Sequence, residues 1–342
     1  MKNPLKISVY GLGNFGYALL KHLTKEQTLK RFRLFGYDIN RQLIQHLIKH
    51  RRHISHHRTT VINKKVEFAR SVEEFIQNTD ILILAVTSAA IKDVVFKIKP
   101  HINQDIIILN TAKALENHSG KRFSQVISQQ LSCLSHQYHL AMLSGGTIAS
   151  DLFQHEPLGV DIACKNKKTL SLLQNIFTSD NLDVYPTTDL VGVEYASAFK
   201  NVIAILAGIV HGLGFSYGSE THLISRAAAE AERLAIHLGA KAKTFSLASQ
   251  CWGNDLLMSC TGNTRNRKFG ILIGKSKSGS EALKKIKKEK ITVEGINTLQ
   301  VMKKIIGGNS SCYPLLFHIN EIVFRNKNPR ETILRLLENN LI

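Results

Sequence analysis

The string Gly11-Leu12-Gly13-Asn14-Phe15-Gly16 follows an apolar run at residues 6–10 and opens a helical pattern at residues 15–23. A strand that turns on glycines into a helix is the context in which G-x-G-x-x-G carries physical meaning. The first glycine allows the tight turn, the second lets backbone approach a pyrophosphate, and the third lets helix and strand pack closely. The helix N-terminus adds unpaired N–H groups that favour an anion. Gly11, Gly13, Asn14, Phe15 and Gly16 are therefore the first expected cofactor contacts.

The pattern beyond this turn supports the same reading. Short apolar runs at 32–37, 80–86, 106–110, 141–144, 159–164 and 182–185 read as strands, the last stopped by Pro186. The near-continuous apolar character of 80–86 suits a strand buried on both faces. Helical patterns fall between them, the rhythm of a parallel sheet flanked by helices. A basic stretch, 51–65, reads as a solvated surface excursion, and His53, His56 and His57 within it have no acidic or cysteine partner to suggest a metal. After residue 188 the patterns are helical: 193–211, 222–238, 243–247, 280–289, 297–306 and 328–337. The expected fold is an α/β Rossmann-type N-terminal domain, residues 1–189, followed by an all-helical C-terminal domain, residues 190–342.

Composition narrows the function. The chain has 342 residues, 44% hydrophobic and 21% charged, ordinary values for a globular protein of two domains. No stretch approaches the roughly 18 uninterrupted apolar residues of a membrane span, and the N-terminus lacks a signal-peptide pattern. Cys133, Cys164, Cys251, Cys260 and Cys312 are scattered and without metal-type spacing, which fits reduced thiols in the cytoplasm. The formal charge of +19 draws anions and small phosphorylated substrates. It lies in short runs without base-stacking aromatics, so specific nucleic-acid binding is not expected.

Individual residues suggest chemistry. Asp38 lies about 20 residues beyond the glycines, where an acid binds the adenosine ribose; this leans toward NAD, although Arg41 could accommodate the extra phosphate of NADP. Lys200 sits inside an apolar helix, where desolvation lowers an ammonium pKa toward the range of acid–base catalysis. Asn201 and Asp255 offer it polar company. Arg265 and Asn266, with Thr264 beside them, suit a phosphate through a guanidinium fork and neutral donors. Lys113 follows a strand, where open α/β sheets bind ligands.

These residues lie within strings that resemble a known family. Gly192-Val193-Glu194, Phe199-Lys200-Asn201-Val202, Asn254-Asp255-Leu256, Arg265-Asn266-Arg267 and Val293-Glu294-Gly295 resemble the C-terminal domain of bacterial glycerol-3-phosphate dehydrogenases. Asn14-Phe15-Gly16, Lys113 and Ser144-Gly145 fall in family order upstream. The resemblance implies interconversion of glycerol 3-phosphate and dihydroxyacetone phosphate with NAD or NADP, feeding phospholipid synthesis, in a homodimer. It implies Lys200 as the proton acceptor. Lys113, Gly145, Thr147, Asn201, Asp255, Thr264, Arg265 and Asn266 are then substrate residues. Ala149, Val293 and Glu294 join the glycine loop, Asp38, Lys113 and Arg265 around the cofactor.

Several positions depart from that pattern. Ala114 and Gly146 replace a glycine and a proline, Thr87 replaces a proline, and the 215–222 loop replaces the usual G-D-N-T string with Ser219 and Glu220. A related hydroxyacid dehydrogenase and a catalytically demoted dinucleotide-binding protein remain as alternatives.

Overall fold

The computed structural model describes residues 4–338 apart from position 277. Its backbone divides into two compact units, one of residues 4–112 and 123–190, the other of residues 113–122 and 191–338. The ten-residue segment Lys113–Arg122, counted with the first domain in the sequence reading, packs in the second unit.

The first unit is built on an eight-stranded sheet. Its strands are β1 (Leu5–Tyr10), β2 (Phe32–Tyr37), β3 (Glu67–Phe68), β4 (Ile81–Leu84), β5 (Ile106–Asn110), β6 (Tyr138–Ser144), β7 (Leu158–Cys164) and β8 (Leu182–Thr187). They lie in the order β3-β2-β1-β4-β5-β6-β7-β8. Every neighbouring pair is parallel except β6 with β7. The carboxyl ends of β1 through β6 therefore share one edge, and it is there that doubly wound sheets bind ligands. Ile7, Val9, Leu34, Ile81, Ile83 and Leu109 point into a core completed by Tyr17, Leu20 and Phe177 from the flanking helices.

Two expectations change here. Pro186 does not stop the last strand; it lies within β8, paired with Ile162 of β7. β8 is the outermost strand, so a residue without an N–H can face away from its one partner at no ladder cost. The basic stretch at 51–65 is also more than a solvated excursion, because Ile62 is fully buried and His53 is 4% exposed.

The second unit is helical. Its longest helix, Leu190–Gly212, runs through residues buried along nearly its whole length. This helix is long and apolar enough to cross a membrane by length and composition, yet its most apolar 18-residue window is wholly buried in the protein. Against it lies the helix Arg265–Ser276, which the sequence patterns did not reveal. Gly270 and Gly274 lower its local helix propensity, and packing supplies the reason they are there. A Cβ on Gly208 would strike the Arg267 carbonyl oxygen, and one on Gly270 would strike that of Ile205. Gly212 and Gly274 repeat the arrangement one turn on, with Cβ positions 2.5 Å from the Ile271 and Ile209 oxygens. The two G-x-x-x-G faces thus meet backbone to backbone.

Other helical patterns shift in detail. Residues 243–247 form a 3₁₀ turn, Ala242–Phe245, rather than an α-helix. The loop expected at 215–222 is mostly helix: Tyr217–His237 starts there, capped by Ser216, whose Oγ accepts the Ser219 N–H.

Gly270→Ala should cost about 1–3 kcal/mol, the range for overpacking a close contact. Gly218→Ala, where the new methyl would meet only Ser216 Oγ at 3.9 Å, serves as the near-neutral control. Urea midpoints at unchanged slope are the measurement.

Candidate active site

In the first unit the glycine loop has the shape that its sequence requires. Gly11 has φ +92°, and a Cβ on it would lie 2.7 Å from Val86 Cγ1. A Cβ on Gly16 would strike the Gly11 carbonyl oxygen. Gly13 is different, since its Cβ position is open space. It also occupies the N-cap of the helix Asn14–His22, which has no side-chain cap. Open space beside uncapped helix N–H groups is what a dinucleotide pyrophosphate needs.

Asp38 stands beside this loop but is turned toward protein. Its Oδ2 accepts the Leu12 N–H at 2.7 Å and its Oδ1 accepts the Asn40 N–H at 2.8 Å. His53 braces the same loop from the other side. Its Nδ1 accepts the Ser55 and His56 N–H groups, each at 3.0 Å, so Nε2 carries the proton and donates to Leu12 O at 2.9 Å. Burial holds its pKa below the ordinary histidine value. His57 stacks on Phe153 and lies 3.1 Å from Asn14 Oδ1. At the end of β6, Gly145 is required by packing, because a Cβ there would sit 2.5 Å from Gly159 O. Thr147 turns back to Gly145 through its N–H, and Ala149 is buried at the start of the next helix.

The second unit holds a buried ionic cluster. Lys200 and Asp255 are 6% and 0% exposed. Lys200 Nζ donates to Asp255 Oδ1 at 2.9 Å and to Ser259 Oγ at 2.8 Å. Asp255 Oδ2 accepts from Lys113 Nζ at 2.9 Å. One carboxylate thus joins two ammonium groups, one on each oxygen. Burial lowers the Lys200 pKa below its ordinary value and the Lys113 charge adds to that, with Asp255 opposing. For Asp255, burial pushes the pKa up, but Lys113 and Lys200 together outweigh it and hold the carboxyl below the usual range.

This cluster lies in a chain whose two halves match a pair of family models. Residues 6–170 match the description "NAD-dependent glycerol-3-phosphate dehydrogenase N-terminus" and residues 189–334 match the corresponding C-terminus. The chain belongs to the NAD-dependent glycerol-3-phosphate dehydrogenase family. A relative named glycerol-3-phosphate dehydrogenase [NAD(P)+] from Thermoanaerobacter sp. (strain X514) is 33% identical over 97% of both chains. One of the same name from Clostridium botulinum (strain Eklund 17B / Type B) is 30% identical over 97% of both. The fold is shared with the glycerol-3-phosphate dehydrogenase structures from Coxiella burnetii and Plasmodium falciparum. The first has a TM-score of 0.82 at 23% identity and covers 98% of this chain and 99% of the other. The second has 0.85 at 21% identity, covering 96% and 94%.

Around the cluster this dehydrogenase-family chain arranges its amides as a clip. Asn201 Nδ2 donates to Lys113 O at 3.0 Å, Asn266 Nδ2 to Asn201 Oδ1 at 2.8 Å, and Asn266 Oδ1 accepts the Gly295 N–H at 3.0 Å. Asn266, expected from sequence to face a phosphate, is turned mainly to protein. Thr264 caps its helix: its Oγ1 donates to Ser259 O and accepts the Arg267 N–H. Its single hydroxyl proton is thereby occupied. Arg265 differs, being exposed in the first turn of Arg265–Ser276. Val293 precedes the helix Glu294–Ile306, whose first residue, Glu294, lies close enough to raise the Lys200 pKa.

Two contacts escaped the sequence reading. Ser259 is one helical turn after Asp255, so the i, i+4 spacing on Asp255–Thr261 was the available signal. Glu220, from the altered string, is buried and bonded to Arg267 Nη2 at 3.0 Å and His211 Nδ1 at 3.1 Å. It acts inside the fold.

Asp255→Asn strands two lysines in a desolvated site and should cost about 3–5 kcal/mol at pH 7. Because the native carboxyl titrates below its unfolded value, its stabilisation is complete above pH about 4 and is lost as pH falls through the folded pKa. The stability gap between wild type and variant, followed by urea unfolding, should therefore narrow in acid.

Proposed function

We propose that this chain interconverts sn-glycerol 3-phosphate and dihydroxyacetone phosphate with NAD or NADP, supplying glycerophospholipid synthesis, and that Lys200 carries the proton. The observation that supports the assignment is the desolvated Lys200 Nζ held by Asp255 Oδ1 and Ser259 Oγ. A lysine ammonium has three donors. Two are engaged, and the third position is left for a substrate oxygen.

During oxidation the neutral amine of Lys200 takes the proton from the C2 hydroxyl while hydride leaves C2. The nicotinamide, when bound, supplies or accepts that hydride. In the reverse direction the Lys200 ammonium returns the proton to the C2 oxygen. Lys113 adds positive charge where the alkoxide develops. Asp255 is a positioning residue that fixes both ammonium groups. Asn201 and Asn266 hold the Lys113 backbone and the start of the helix Glu294–Ile306 in register. Arg265, exposed at a helix start, receives the substrate phosphate by a guanidinium fork, with helix N–H groups beside it. Gly11, Gly13 and the N–H groups at Asn14 and Phe15 hold the dinucleotide pyrophosphate; Gly145, Thr147, Ala149, Val293 and Glu294 complete the proposed contacts. Their support is position in the family's order.

The reading extends to a cytoplasmic homodimer. No disulfide joins Cys133, Cys164, Cys251, Cys260 or Cys312, which suits a reducing compartment, and light scattering would report twice the 38.3 kDa chain mass.

Absorbance at 340 nm with dihydroxyacetone phosphate and reduced cofactor tests the reaction. Lys200→Ala should lower kcat by about 10²–10⁴-fold with dinucleotide binding retained, whereas Arg265→Ala should chiefly raise KM for the phosphorylated substrate. Full turnover by Lys200→Ala would remove the mechanism. Oxidation needs the neutral amine, so its rate should rise with pH on a limb centred below the ordinary lysine value of 10.5; the reverse rate should fall on that limb.

A further inference from the structure

We infer that Glu220 is a positioning residue for substrate capture: by holding Arg267 it fixes the helical turn from which Arg265 receives the substrate phosphate. The inference rests on the reading of Arg265 given above. It assigns a task to the string at 215–222, where this chain departs from the family pattern.

Glu220 lies in the first turn of Tyr217–His237 and is 5% exposed. A carboxylate so buried is costly unless its oxygens are engaged. Here both have partners. Oε1 accepts from Arg267 Nη2 at 3.0 Å, and Oε2 lies 3.1 Å from His211 Nδ1. Arg267 is in the first turn of Arg265–Ser276, and His211 is in the last turn of Leu190–Gly212. One side chain thus ties together the ends of three helices. The bond to Arg267 is the stronger tie, because a guanidinium is always charged and this one is largely shielded from water, whereas His211 is half exposed.

Arg265, Asn266 and Arg267 follow one another at intervals of about 100° around the helix, so they point in three directions. Asn266 reaches Asn201 Oδ1 and the Gly295 N–H, Arg267 reaches Glu220, and Arg265 is exposed. With anchors on two of its faces the turn neither rotates nor frays, and the direction of Arg265 is set. The glycine crossing does not do this by itself. It engages the helix from the Arg267 carbonyl onward, and Arg265 precedes that point. Without the carboxylate, Arg267 would keep a buried Nε that has no hydrogen-bond partner and would lose the bond at Nη2. Relief comes by turning the guanidinium toward water, and the backbone that carries Arg265 moves with it. Misplacing a substrate-holding group by about 1 Å can cost about 10²-fold in rate.

Steady-state kinetics of the full chain with dihydroxyacetone phosphate and reduced cofactor test the assignment. Glu220→Ala should raise KM for dihydroxyacetone phosphate about tenfold, with kcat within about twofold and KM for the cofactor unchanged. Arg267→Ala removes the same link and should behave alike. A merely structural loss would instead lower the active fraction, and with it kcat, at constant KM. A double-mutant cycle identifies the route: in an Arg265→Ala background, adding Glu220→Ala should change kcat/KM by less than about twofold. Glu220→Gln keeps an acceptor for Arg267 without the charge, so its rise in KM should be smaller, about threefold. It carries the same comparison if Glu220→Ala does not fold. An unchanged KM in every folded Glu220 variant, a fall in kcat alone, or Glu220 and Arg265 effects that multiply would overturn this assignment by itself. No turnover by wild type, or a wild-type KM in Arg265→Ala, would overturn the reading of Arg265 and this assignment with it.

Discussion

The second unit depends on two helices whose backbones touch. Gly208 and Gly212 on Leu190–Gly212 meet Gly270 and Gly274 on Arg265–Ser276, so no side chains keep the axes apart. That contact sets Lys200-Asn201 and Arg265-Asn266, carried roughly one to two turns from the crossing, within reach of each other's neighbours. The Asn266–Asn201 hydrogen bond, 2.8 Å, spans the two helices directly. One added methyl at the crossing would spread helices that position the polar cluster.

Charge burial is the second constraint, and it acts through Asp255. An isolated ammonium as buried as Lys200 is costly. The carboxylate makes it tolerable, and its second oxygen holds Lys113. The outcome is a lysine that remains in place yet titrates below its ordinary value. Stability and chemistry pull in opposite directions there: a better-hydrated lysine would cost less and exchange its proton less readily at neutral pH.

Much of this was legible in the sequence because it depends on local or periodic features. The glycine turn, the strands at 32–37 and 106–110, and the switch from strands to helices all follow from short-range patterning. Lys200 was detectable as a cation in an apolar helix. The misread elements share a different cause. Pro186 ends a strand unless that strand is at an edge, and edge position is a property of the sheet. His53 looks like part of a solvated basic run until its ring is placed against Leu12 O. Thr264 looks like a free hydroxyl donor until its proton is found on Ser259 O.

By itself the sequence determined the class of fold, the glycine cradle and the residue types available for proton transfer and anion binding. Those depend on φ preferences, periodic burial and side-chain chemistry, all carried by residues close in the chain. Only the tertiary structure decided which polar groups remain available. Thr264 has spent its one hydroxyl proton inside the protein and Asp38 and Asn266 have each committed part of their capacity there, while Arg41 and Arg265 are left exposed. A hydrogen-bonding group has few positions to offer. Whether those positions are filled by distant parts of the chain or left for a ligand is settled when the backbone closes around them.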